Sequence, residues 1–332
     1  MKALHLMGHG DPAQVVKMVE LPEPVPGPGE VTIAIEAAAV HLADIKIMMG
    51  EEGFRRERFP FARGFEGVGR VERIGPGVTE YTPGDRVFPP WGIGAFAQKV
   101  VAPAAKSLPA PEGDAIQLAL MAINGLTAVV LLEDFGSFAP GDWILQNGAN
   151  SNCGRYLIVL AKERGIRTVN IVRRPEMVAE LKALGADAVV LDSDNEKDLK
   201  RRVDEATGGA RLSLGIDMVA GAATNRVAHC LADNSTVVNY GYISREMCQV
   251  HFRELFWRNI KLVGMSTSRG LATRSQATIR ALYADLAAKI IDGRLRAAIA
   301  ATYPLARYAE AFAQALRTGR ERDGKVILLP NG

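Results

Sequence analysis

The sequence predicts an α/β chain in which a doubly wound parallel sheet is inserted into a β-rich, barrel-like lobe. Three observations carry this expectation. Residues 1 to about 110 are short apolar runs separated by Gly/Pro turns. From about residue 143 to 266, strand-like and helix-like segments alternate. The length of 332 residues exceeds what one hydrophobic core usually serves, so two lobes are expected.

Each element follows from its own pattern. Glu30 to Val40 reads EVTIAIEAAAV, largely in apolar alternation, which suits a strand with one buried face. Gly67 to Phe88 carries GVGRVERI, the turn GPGV and then TPGDRVF, two further strands around Gly/Pro turns. The texture changes near Ala115, where QLALMAINGLTAVVLLEDF spaces apolar residues as one helix would. Pro140-Gly141-Asp142 then turns the chain into strand WILQN. Helix RYLIVLAKERG, strand TVNIV, helix EMVAELKALGA, strand AVVL and helix DLKRRVDEATGG follow. Strand LGIDMVAG, helix NRVAHCLA and strands STVVNYG and KLVGMS complete a parallel, doubly wound sheet. After Ser266 come the helix SQATIRALYADLAAKIIDG, strand ATYPL, helix RYAEAFAQALRTG and strand KVILLP, which are expected to return to the first lobe. The expected boundaries are 1–118, 119–266 and 267–332, and Phe256, Trp257 and Met265 are read as core in preference to the lining of an apolar substrate channel.

Composition narrows the function classes. Apolar residues at 48% and charged ones at 23% are an ordinary globular balance, which excludes a disordered, collagenous or coiled-coil chain. Lys plus Arg number 40 against 37 Asp plus Glu, a surplus too small for the field of a nucleic-acid-binding surface. The longest apolar stretch, Leu118 to Leu132, is interrupted by Asn124, Gly125 and Thr127 and is too short to span a bilayer, so no membrane partner is expected. Cys153, Cys230 and Cys248 have neither zinc-site spacing nor an even disulfide framework. The opening MKALHLMGHGDPAQ does not read as an export signal, and the expected compartment is the cytoplasm.

The most informative segment runs from Ile144 to Gly165. Strand WILQN enters Gly148-Ala149-Asn150-Ser151-Asn152-Cys153-Gly154, which opens a helix. Such a turn brings backbone N–H groups and the positive helix end to a pyrophosphate, while Gly154 lets helix and strand pack closely. Ser151 stands where the middle glycine of the usual pattern would be. The next strand ends Val172-Arg173-Arg174-Pro175, where a nicotinamide-binding fold holds the adenosine ribose. An NAD site wants a carboxylate there, whereas two guanidinium groups suit a 2′-phosphate, so the expected cofactor is NADPH. A purely structural β-to-α turn, with the arginines as a solvated strand cap, is the bland alternative.

Beyond these patterns, GEVTIAIEAAAVHLADIKIMMG, FEGVGRVERIGPGVTEYTPGDRVF, LTAVVLL and DGKVILLP resemble the medium-chain dehydrogenase/reductase superfamily over nearly the whole chain. LQNGANSNCG followed by LAKERGIRTVNIVRRP is most similar to its 2-enoyl thioester reductases, with NADPH:quinone oxidoreductases as the neighbouring branch. The resemblance implies a Rossmann sheet inserted in a GroES-like β-barrel-type catalytic domain. It also implies hydride transfer from NADPH to an activated C=C bond, a CoA or carrier-protein thioester as substrate, and a homodimer. A quinone reductase is the rival within enzymes, and a catalytically silent dinucleotide-binding protein with a structural or sensing role is the rival outside them.

The resemblance also assigns residues. Cofactor contacts fall on Gly148, Asn150, Ser151, Cys153 and Gly154 in the turn, and on Arg173 and Arg174. They fall as well on Asn124, Thr127, Tyr240, Gly241 and Lys325. Tyr242 is a candidate substrate neighbour beside Tyr240. The zinc enzymes of the superfamily need a Gly-His-Glu motif, and this chain has Gly64-Phe65-Glu66, so no metal is expected. His41 and Asp44 stand in a Val-Asn-Pro-x-Asp run that here reads Val40-His41-Leu42-Ala43-Asp44. The tyrosine that such reductases carry just beyond Gly50 is missing, which leaves His41, Glu52 or water as the proton source and Asp44 as a further catalytic candidate. The run Phe54-Arg55-Arg56-Glu57-Arg58-Phe59 is either a solvated loop or a positive patch for an anionic substrate.

Overall fold

The computed structural model describes residues 1–51, 58–317, 319 and 324–332. They form two compact units, Met1–Ile123 with Arg280–Gly332, and Asn124–Ile279.

The spine of the first unit is the strand Glu30–Val40. Its Val31, Ile33, Ile35 and Ala37 to Ala39 are fully buried. Such a run can be covered only by a sheet on both edges. It pairs antiparallel with Gly67–Ile74, Lys99–Pro103 and Lys325–Leu329 in a seven-stranded sheet. A second, three-stranded antiparallel sheet joins Lys2–Leu6 to Val16–Glu20 and Phe61–Ala62. Phe96 and Phe312, both buried, meet at 6.0 Å between ring centroids in this core. Each buried Phe contributes about 1.5–3 kcal/mol by leaving water.

The second unit is a six-stranded, wholly parallel sheet. Its order is Ala188–Leu191, Arg167–Val172, Trp143–Gln146, Leu212–Asp217, Thr236–Asn239, Lys261–Gly264. The order reverses between Trp143–Gln146 and Leu212–Asp217, the kind of switch point where doubly wound sheets bind ligands at the strands' carboxyl ends. Helices cover both faces, so the strands read as continuous apolar runs such as Ile144-Leu145, both fully buried. The helix Glu196–Thr207 illustrates the local rules. Asn195 Oδ1 accepts the Lys197 and Asp198 N–H groups at its start, Leu199 and Val203 bury one face, and Gly208 ends it at φ 67°.

The structure departs from the sequence reading in three places. Residues 115–133 form two helices, Ala115–Leu118 and Met121–Glu133, because the Glu66 carboxylate accepts the Ile123 N–H at 2.7 Å and provides a second helix start. Residues 267–279 pack in the second unit instead of returning to the first. Thr267 Oγ1 lies 2.7 Å from Thr127 Oγ1, and Arg274 bonds Asp134 at 2.7 Å. Phe256 and Trp257 are not core, being 62% and 73% exposed. They lie at the end of the short helix Phe252–Phe256, which is anchored instead by the buried Glu254 through His229 and Arg258.

Candidate functional site

At the switch point, Gly148 (φ +60°) leaves the strand Trp143–Gln146, and Ser151 caps the helix Asn152–Glu163 by accepting the Gly154 N–H at 3.1 Å. A Cβ on Gly154 would sit 2.6 Å from the Ala149 carbonyl oxygen, so only glycine lets the turn fold this tightly over the helix start. The Asn150 carbonyl accepts Arg155 Nε at 3.0 Å, and Arg155 is itself paired with Glu180. Cys153 is buried in the first helical turn. Beside Ser151 and Cys153 lies the buried Tyr240 hydroxyl. Burial holds that phenol well above its ordinary range, so it stays a donor.

The strand ends around this turn are tied by Asp217, fully buried at the end of Leu212–Asp217. Its carboxylate accepts from Asn147 Nδ2 (2.6 Å), Thr224 Oγ1 (2.7 Å), Asn239 Nδ2 (3.0 Å) and the Val219 and Ala220 N–H groups (3.0 and 3.1 Å). Gly241 follows Asn239, and a Cβ there would meet the Met218 carbonyl oxygen at 2.3 Å. At the tip of Arg167–Val172, Arg173 is exposed and bonded to no described side chain. Arg174 is half-buried and donates to Met177 Sδ at 2.8 Å. Asn124 and Thr127, both buried, lie one turn apart on Met121–Glu133. The Tyr242 hydroxyl donates to the Arg245 carbonyl at 2.7 Å, facing its own loop.

A buried phenol, a glycine turn at a helix start and two guanidinium groups at the next strand tip, one exposed and one half-buried, are the donor set a dinucleotide with a 2′-phosphate needs. In this unit Gly148 to Gly154 would hold the pyrophosphate, and Arg173 and Arg174 the phosphate on the ribose.

The first unit holds the other cluster. His41 precedes the helix Leu42–Met49 and is 4% exposed. Its Nε2 lies 2.6 Å from Glu66 Oε1 and its Nδ1 3.2 Å from Lys325 Nζ. An ammonium group can only donate, so Nδ1 accepts and the imidazole proton sits on Nε2, directed at Glu66. Burial and the Lys325 charge push the imidazole well below its ordinary pKa. Burial pushes the Glu66 carboxyl up to about 8, opposed by the Ile123 and Ala122 N–H groups and by Lys325. Asp44 is fully buried, accepts the His41 backbone N–H at 3.0 Å and pairs with Arg63 at 2.7 Å. Phe65, in the place of a zinc-ligating histidine, lies with its ring 5.4 Å from that guanidinium. Among the described residues no group of three or more His, Cys, Asp or Glu could hold a metal ion.

Of the residues singled out from sequence, His41, Asp44 and Lys325 thus gather in the first unit, and the turn residues, Cys153 and Tyr240 in the second. Glu52 and the run Phe54 to Glu57 lie outside the described residues. Glu66 was noted only as the last residue of a degenerate zinc motif, and Asp217 and Asn147 were not singled out. An aspartate closing an apolar strand was the one signal for Asp217.

Residues 27–112 match the alcohol dehydrogenase GroES-like domain, and residues 153–288 the zinc-binding dehydrogenase family. The chain is 31% identical over 313 residues to the mitochondrial enoyl-[acyl-carrier-protein] reductase of Bos taurus, spanning 92% of this chain and 83% of the relative. The chain belongs to the medium-chain dehydrogenase/reductase superfamily. A second relative in it, the mitochondrial enoyl-[acyl-carrier-protein] reductase of Arabidopsis thaliana, is 32% identical over 307 residues, spanning 89% of this chain and 80% of the relative. Among solved structures of this superfamily, a putative NADPH:quinone reductase from Bacillus thuringiensis superposes with a TM-score of 0.88 at 26% identity, covering 99% and 98% of the two chains. A mycobacterial protein complexed with NADPH superposes at 0.85 with 29% identity, covering 99% of this chain and 100% of that one.

Proposed function

We propose that the protein is an NADPH-dependent reductase that adds hydride to the activated C=C bond of a 2-enoyl thioester or another α,β-unsaturated carbonyl compound. The observation that carries this reading is the Gly148–Gly154 turn at a helix start, with Arg173 and Arg174 and no carboxylate at the tip of the following strand. The names of the enoyl reductase relatives support the acceptor class. NADPH supplies the hydride when bound. The chain's own part is to hold the cofactor's phosphates, orient the acceptor and supply a proton.

The thioester is carried by CoA or a carrier protein. A quinone acceptor is the second reading, favoured by the TM-score of 0.88 to a putative NADPH:quinone reductase. NADPH consumption over enoyl thioesters, enones, aldehydes and quinones tests both. Turnover confined to quinones overturns the first reading, and NADPH binding without turnover on any acceptor favours a silent binding protein.

The assembly in this reading is a homodimer. Among the described residues the strand Lys261–Gly264 has a neighbour on one edge only, and Phe252, Phe256 and Trp257 just before it are 66%, 62% and 73% exposed. An open edge beside an aromatic patch suits a second copy of the same surface across a twofold axis. No helix among the described residues is long and apolar enough to cross a membrane. Cys153, Cys230 and Cys248 form no disulfide, which suits the reducing cytoplasm, while the relatives above carry mitochondrial names. Cell fractionation decides the compartment.

A further inference from the structure

The helix that follows the glycine turn carries an arginine where an apolar residue would be buried at lower cost. Arg155 is 5% exposed, in the first turn of Asn152–Glu163, with its own N–H bonded to the Ser151 carbonyl at 2.8 Å. A buried guanidinium destabilises a fold unless it is paired, and a well-packed apolar side chain of similar volume usually serves stability as well or better. Its Nη1 donates to the Glu180 carboxylate on the helix Met177–Ala183, and its Nε donates to the Asn150 carbonyl at 3.0 Å. The N–H at the other end of that same peptide, on Ser151, donates to the Gly148 carbonyl at 2.9 Å. Both polar ends of the Asn150–Ser151 peptide are therefore fixed inside the turn, with the carbonyl oxygen held on the guanidinium. A carbonyl oxygen turned instead toward a phosphate would oppose its negative charge.

We propose that Arg155 is a positioning residue for the cofactor's pyrophosphate: it keeps the Asn150 carbonyl turned away from the phosphates, and Glu180 keeps Arg155 in place. This rests on the reading of Gly148–Gly154 as the pyrophosphate turn. Arg155 acts through the backbone of that turn. Its role differs from that of Arg173 and Arg174, which in the same reading hold the 2′-phosphate at the tip of the adjacent strand Arg167–Val172. The pyrophosphate is common to NADPH and NADH, so Arg155 governs how tightly either dinucleotide is held and leaves the choice between them alone. Lysine is no substitute, because a single ammonium carries the charge without the planar fork that joins a carbonyl to a carboxylate.

Fluorescence titrations of the whole protein with NADPH and NADH test this without turnover, with adenosine 2′-monophosphate as a displacing ligand that lacks the pyrophosphate. Arg155→Met removes both donors and keeps an unbranched side chain. It should weaken NADPH and NADH alike, by about tenfold or more, the loss typical of one hydrogen bond to a charged group. Adenosine 2′-monophosphate should stay within about twofold of its wild-type affinity. Arg155→Lys should remain at least about threefold weaker than wild type for both dinucleotides, for want of the fork. Glu180→Ala alters a side chain that is 44% exposed, so it answers the question even if Arg155→Met does not fold. It should weaken both dinucleotides equally, by about threefold or more, as a residue acting through a network does. The role is overturned if Arg155→Met or Glu180→Ala binds both dinucleotides as wild type does, or if Arg155→Lys restores full affinity, since charge alone would then suffice. It is overturned equally if adenosine 2′-monophosphate weakens in step with NADPH, the mark of a merely structural arginine, or if the loss is confined to NADPH. Wild type that binds neither dinucleotide is instead a failure of the cofactor reading, and the positioning role falls with it.

Discussion

Replacing Gly154 by alanine separates the cofactor turn from ordinary helix packing. The new Cβ would lie 2.6 Å from the Ala149 carbonyl oxygen and 2.8 Å from Ala149 Cα, against the 3.4 Å at which ordinary contact begins. Both atoms are backbone, so the turn itself must move by roughly 0.6–0.8 Å, and overpacking of that kind costs about 1–3 kcal/mol. Alanine in a helix recovers about 1 kcal/mol relative to glycine, which leaves a net stability loss of about 0–2 kcal/mol. Cofactor binding has no such offset. A shift of this size misaligns at least one hydrogen bond to a charged phosphate, worth about 1.5–3 kcal/mol, so NADPH should bind roughly tenfold to a hundredfold more weakly. Urea unfolding gives the first quantity and a fluorescence titration of NADPH the second. An unchanged Kd in a stably folded Gly154→Ala variant would refute the assignment of this turn to the pyrophosphate.

The Arg173→Ala/Arg174→Ala variant should lose about tenfold to a hundredfold in NADPH affinity and little in NADH affinity; equal loss for both cofactors in paired titrations would show that the arginines do not read the 2′-phosphate. His41 is held neutral in the fold with its pKa below the ordinary 6.5, so the unfolded chain binds the extra proton first as pH falls. Its contribution to stability is therefore complete above pH 6.5 and declines below it, by at most about 1.4 kcal/mol per pH unit. His41→Asn should remove that acid slope from unfolding curves between about pH 4.5 and 7, leaving a small like-signed share from His5 and the opposing share from Glu66, whose raised carboxyl binds its proton first in the fold and stabilises it as pH falls; an unaltered slope would mean that the imidazole is charged in the fold. Trp257→Asp should convert the dimer to monomer in light scattering, and a variant that elutes as wild type does removes this patch from the interface.

The alternation of strands and helices was legible from residue 143 onward because each strand there is buried on both faces and each helix carries one apolar stripe, as Leu199 and Val203 do. The tight glycine turn was legible for a similar reason: its geometry is local, contained in the seven residues Gly148 to Gly154. The cluster of His41, Glu66 and Lys325 was not. His41, Glu66 and Lys325 are separated by 25 and 284 positions in their two contacts, and only the folded sheet brings them together. The helix break at Ala119-Leu120 was hidden for the same reason, since the carboxylate that starts Met121–Glu133 comes from residue 66. Phe256 and Trp257 misled because large apolar residues usually reflect core, and an exposed aromatic patch carries the same side chains.

The five donors gathered on Asp217 have a consequence for how cofactor preference can drift. The carboxylate knits the ends of Trp143–Gln146, Leu212–Asp217 and Thr236–Asn239 into one rigid rim through Asn147 and Asn239. Arg173, by contrast, stands in solvent and supports nothing in the fold. In the proposed reading, scaffold and selectivity are therefore written in different residues. A lineage could then exchange one nicotinamide cofactor for the other by altering the strand tip alone, with the rim and the stability it confers left untouched.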